Sequence, residues 1–136
     1  MKTLRALAVL VTGAAMAVPV LAHHSFSAEY DAKQPITLKG SVVKMEWINP
    51  HSWIHLAVKN ADGTTTEWMI ESGTPNTLVR RGFTKQSLLP GTEITVEGYR
   101  AKNGANRANG ADLILADGKR LFLGSSGTGA PKDDGQ

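Results

Sequence analysis

The chain carries four histidines, His23, His24, His51 and His55, and imidazole nitrogens of this kind suit Cu(II), Zn(II) or Ni(II). Two of them, His23-His24, directly follow Val20-Leu21-Ala22. That tripeptide offers the small residues a signal peptidase needs. Lys2 and Arg5 precede an uncharged, largely apolar run from Ala6 to Leu21. Residues 1–22 therefore read as a signal peptide, with export to the periplasm as the expected outcome. Cleavage after Ala22 would place a free α-amine beside the His23 ring, a ready chelate for a transition metal. His24 could add a second imidazole, and His51 or His55 a third. The familiar amino-terminal copper motif needs histidine at the third position; here that residue is Ser25, so the motif is absent. On a straight strand His51 and His55 would point the same way but stand about 13 Å apart, at ~3.3 Å per residue. Only one of the two is then expected to join the terminal pair. The resulting expectation is a metal site, copper first, drawn from His23, His24 and one of His51 or His55. In the competing reading the terminal pair binds metal incidentally, while His51 and His55 hydrogen-bond in a turn and on a sheet surface.

A second set of residues suggests a ligand face. Trp53 and His55 alternate with Ile54 and Leu56, so they share the outward side of one strand. An exposed tryptophan there could stack on a sugar or another small ligand, although Trp53 could equally pack beneath neighbouring chain. Near-neutral charge and export both argue against nucleic acid. Glu46, Glu67 and Glu71 show no spacing that marks an acid–base pair, and solvated sheet faces explain them. No nucleophile has a recognisable activating neighbour. The expectation is a binding protein rather than an enzyme; a histidine-bound metal centre with an open coordination position would be needed for catalysis.

These residues need a β-rich scaffold. Residues 23–35 read as an extended arm. Ile36 to Ile48 is a long β run with Gly40 in its middle, where a bulge or bend would let one strand serve two sheet edges. Asn49-Pro50 breaks the run. Ser52 to Lys59 and Thr64 to Glu71 form two strands around Asn60-Ala61-Asp62-Gly63, an Asp-Gly hairpin turn. Thr74 can cap a short helix with Pro75 in its first turn and Gly82 at its end, and Arg80-Arg81 suits the negative C-terminal end. Thr92 to Arg100 is a fourth strand. Asn103 to Gly110, rich in Asn and Gly, reads as a flexible loop. Asp112 to Leu123 forms a last strand or hairpin, and residues 124–136 a disordered tail. Three strands, a helix and two further strands match the order of an OB-fold, a small Greek-key barrel, spanning residues 36–123. A small open β-sandwich is the alternative.

Removing 22 of the 136 residues leaves 114, one domain with a modest core. The formal charge of +3 falls to +1 once Lys2 and Arg5 leave with the leader, so no polyanion-binding surface follows. The chain has no cysteine, which excludes both disulfides and a lipid-anchored cysteine at the cleavage site. No second apolar stretch is long enough to span a membrane. The segments His23-His24-Ser25-Phe26, the Gly40 strand, Trp47-Ile48-Asn49-Pro50-His51-Ser52, Leu78-Val79-Arg80-Arg81-Gly82 and Leu89-Pro90-Gly91-Thr92 together resemble an uncharacterised family of small exported proteobacterial proteins, a domain of unknown function. The resemblance implies an exported β-rich domain and supplies no catalytic residues.

Overall fold

A computed structural model describes residues 25–124; His23, His24, the expected signal peptide and the expected tail from residue 125 lie outside the described residues. The order is α1 (Phe26–Glu29), β1 (Tyr30–Glu46), β2 (Trp53–Lys59), β3 (Thr65–Glu71), α2 (Pro75–Arg80), β4 (Glu93–Ala101), β5 (Arg107–Leu115) and β6 (Arg120–Phe122). The protein is mainly β, a six-stranded antiparallel sheet ordered β3-β2-β1-β4-β5-β6, with one further, parallel pairing between β3 and β5. Followed strand to strand, the pairings run β1-β2-β3-β5-β4 and return to β1.

β1 makes this possible by serving two neighbours. Tyr30 to Ser41 pairs with β4, and Gly40 to Glu46 pairs with β2. Gly40 sits where the two pairings overlap, and a Cβ there would lie 2.2 Å from the Ala57 carbonyl oxygen. Glycine is thus required for close approach. The bulge itself falls slightly later, where the register slips between Val42 and Lys44. The segment expected as an extended arm enters as one helical turn and then joins β1 at Tyr30.

The interior follows strand alternation. Ile54, Ile70 and Ala108 sit side by side across β2, β3 and β5 and are fully buried. Leu38, Val42, Leu56, Trp68, Ile94, Val96 and Leu113 extend the core, with Trp47 packed at its margin. Between β3 and β4 the helix closes it from outside the sheet. The Thr74 side chain accepts from the Thr77 N–H, Pro75 occupies the first turn, and Gly82 takes φ +94°. Leu78, Phe83 and Leu88 are delivered to the core. Arg81 lies 4.2 Å above the Phe122 ring and donates to the Gly124 carbonyl.

One expectation is corrected. Residues 103–110 are not wholly a loop: β5 begins at Arg107. Arg107, Ala108 and Asn109 pair with Met69, Ile70 and Glu71 of β3 on one side, while Gly110 faces Gly98 of β4. The Asn-Gly pair that reads as a turn is used for contact. A Cβ on Gly98 would stand 2.1 Å from the Asn109 carbonyl oxygen, and one on Gly110 2.8 Å from Leu123. Gly98→Ala is therefore expected to destabilise by about 3 kcal/mol or prevent folding, since β4 and β5 must part. Gly63→Ala, at a turn with open space but φ +86°, should cost only about 1–2 kcal/mol. Urea unfolding of both variants measures the contrast; equal losses would refute it.

Candidate functional site

The register that aligns the core also builds an outward face. Beside the buried row, Trp53, Glu71 and Asn109 lie opposite one another across β2, β3 and β5, and His55, Met69 and Arg107 form the next row where their pairings meet. Polar residues on an outer sheet face normally meet water. Here Glu71 is 8% exposed, His55 7% and Asn109 3%. The chain from Phe26 to Tyr30 covers part of this face. Phe26 packs edge-on to Tyr99 at 5.4 Å between ring centres and 5.8 Å from Tyr30. The Lys102 N–H donates to the Glu29 carbonyl, and Tyr30 pairs with Ala101.

Glu71 is the hub. The Tyr30 hydroxyl donates to its Oε2, and His51 Nδ1 lies 3.2 Å from its Oε1 and 3.3 Å from the Ser72 carbonyl oxygen. This corrects the expectation of a solvated carboxylate. A buried carboxylate must be hydrogen-bonded or paired, and both partners come from segments distant in sequence. Burial, and then the bond to the Glu71 carboxylate, push the Tyr30 phenol well above its ordinary range. The Arg107 guanidinium, 3.7 Å from Glu29 Oε2, acts weakly in the opposite direction.

Arg107 also lies over the Trp53 ring, 4.9 Å from its centre, a cation–π arrangement. Trp53 is consequently half-buried, with one ring face covered by the arginine. Among the described residues the buried Arg107 Nε and Asn109 Oδ1 have no hydrogen-bond partner.

His55 occupies a different environment from His51. Its Nδ1 lies 2.7 Å from Glu67 Oε1 of β3, and its Nε2 3.6 Å from Glu46 Oε2 of β1. Lys44 Nζ is 2.6 Å from Glu46 Oε1, and this bond is the main reason the Glu46 carboxyl is held below its usual range. The two expected domain histidines are therefore directed to separate carboxylates. Among the described residues no group of three or more His, Cys, Asp or Glu side chains is arranged to hold a metal ion. Any site built on His51 and the terminal pair thus requires His23 and His24, which lie outside the described residues. Tyr30, Glu71, Arg107 and Asn109 carried no motif. Their roles arise from pairing across the sheet.

A family model described as "Family of unknown function (DUF6152)" matches residues 10–110. The chain belongs to this family, in agreement with the resemblance its motifs suggested. No curated protein matches it. No helix among the described residues is long and apolar enough to cross a membrane.

The Tyr30 bond yields a signed prediction. A phenol whose pKa is raised in the fold stays protonated there while the unfolded chain ionises. Its contribution is complete below about pH 10 and is withdrawn as pH rises beyond that. Tyr30→Phe should lower stability near neutrality by about 1–3 kcal/mol, because Glu71 loses a buried donor. It should also flatten the alkaline decline. Thermal unfolding across roughly pH 7 to 11 tests this; parallel curves for wild type and variant would count against it.

Proposed function

We propose that this is an exported, periplasmic binding protein with an OB-like barrel, released by cleavage after Ala22, that holds a transition-metal ion, copper, through His23, His24 and His51. The barrel reading is supported by the circuit of pairings through β1, β2, β3, β5 and β4, and by α2 lying between β3 and β4. OB-folds are small closed sheets that use the face around strands two and three for ligands.

The observation that carries the metal reading is the shared carboxylate. Glu71 holds Tyr30 at one oxygen and His51 at the other, so the start of β1 is fastened beside His51. His23 lies seven residues before Tyr30 in sequence, a span of at most about 25 Å, and the Tyr30 anchor keeps that reach centred near His51. A carboxylate on one imidazole nitrogen is also the usual support for a histidine that ligates metal through the other. Copper suits a set of imidazoles and an α-amine. The role is binding rather than catalysis.

A second reading, a small polar ligand on the Trp53 face, is favoured by the unpartnered Arg107 Nε and Asn109 Oδ1. Covering of Trp53 by Arg107 ranks it below metal.

Copper(II) titration of the purified exported chain, followed by electron paramagnetic resonance, distinguishes the two readings. Amino-terminal sequencing should begin at His23. Replacing His23 and His24 together by alanine, or His51→Gln alone, should weaken the tightest copper site by at least about tenfold, one ligand being worth more than 1.4 kcal/mol. His55→Gln should leave that site unchanged. Copper affinity indifferent to loss of His23 and His24 would defeat the metal reading and leave the ligand face as the function.

A further inference from the structure

We propose that His55 Nε2 and the Glu46 carboxylate form a second, independent binding site for a divalent transition-metal ion, Zn(II) as the simplest case, on the outer face of β1, β2 and β3. The proposal uses none of the residues assigned to the copper site and stands whether or not that site exists.

The first observation is an unpartnered atom. His55 is 7% exposed, yet among the described residues its buried Nε2 has no hydrogen-bond partner. The nearest charged oxygen, Glu46 Oε2, is 3.6 Å away. That is too long for a hydrogen bond, which would fall at about 2.7–3.2 Å. It is close to the separation of two ligands on one tetrahedral ion: with Zn–N and Zn–O bonds near 2.1 Å, the two donors stand about 3.4 Å apart.

The second observation is the orientation of each donor. Glu67 Oε1 lies 2.7 Å from His55 Nδ1. With the proton on Nδ1, that bond turns the Nε2 lone pair toward Glu46, the carboxylate–histidine support found behind metal-ligating imidazoles. Lys44 occupies Glu46 Oε1 at 2.6 Å and leaves Oε2 directed at the histidine. The register explains the assembly: Lys44 lies opposite His55 on β1, Met69 lies opposite it on β3, and Glu67 is two residues from Met69 on the same face.

The third is charge. Glu46 and Glu67 contribute two negative charges against the single positive charge of Lys44, so carboxylates outnumber ammonium groups around His55. A divalent ion corrects this balance and supplies the partner Nε2 lacks. A mixed imidazole–carboxylate set suits Zn(II) and its neighbours. With two protein ligands, water must complete the coordination shell, and the rim position of Glu46 leaves solvent access.

The test uses the full exported chain carrying His23→Ala and His24→Ala, so that the terminal chelate cannot contribute. Zn(II) is titrated while the imidazole nitrogens are followed by ¹⁵N NMR. Saturable movement of the His55 Nε2 resonance, with Nδ1 remaining protonated, is expected. Glu46→Gln should weaken the interaction by at least about tenfold, and Glu67→Gln by about 10- to 100-fold through loss of orientation. His51→Gln should change nothing. A His55 resonance that does not move up to millimolar Zn(II) overturns the site, as does wild-type affinity in Glu46→Gln. Should His55→Gln fail to fold, Glu46→Gln, at a half-buried rim position, decides the matter alone.

Discussion

The structure depends on a carboxylate held out of water. Glu71 ends β3 on the outer side of the sheet, where a charged residue would ordinarily be hydrated. It is instead covered, with Tyr30 on one oxygen and His51 against the other. Removing a single carboxylate from water costs several kcal/mol unless its oxygens are satisfied. The group therefore dictates where two other segments go. One is the beginning of β1; the other is the turn that leads into β2. A local electrostatic demand thus becomes the anchor for the entry and one corner of the sheet.

The remaining polar groups on this face divide around that anchor. His51 belongs to the Glu71 side and His55 to the Glu46–Glu67 side, although only three residues separate them. Strand geometry keeps them apart, and neighbouring strands supply a different acid to each. Arg107 ties the two rows together by reaching from the His55–Met69 row across to Trp53. A small sheet without disulfides can thereby present chemically distinct surfaces over a short stretch of sequence.

The scaffold was readable where the signal was local. The Asp-Gly turn, the Thr74 cap with its proline, and the alternation from Ile54 to Val58 each report on a few adjacent residues, and each appears where expected. Gly40 was also legible as the point where one strand must serve two edges, although the slip in register comes a few residues later. Legibility failed where the same residue type answers two physical needs. Asn109-Gly110 has the composition of a turn, but glycine equally permits two backbones to touch, and only the partner strand reveals which need applies. Glu71 failed for a related reason: its burial depends on Tyr30, 41 residues earlier, and no local pattern encodes that. Of the four histidines expected to bind metal, His51 and His55 lie among the described residues, and no sequence pattern revealed that each faces a separate acid.

The double duty of β1 has a consequence for how the chain comes into being. As synthesis proceeds from the amino terminus, β1 acquires β2 and then β3 promptly, because short turns connect them. Its other edge must wait for β4, and β3 must wait for β5. Until those late strands emerge, the early half exposes two unpaired edges and an open apolar face, a state that favours remaining unstructured or being shielded by other proteins. Stable collapse is thereby deferred until the carboxy-terminal strands have followed.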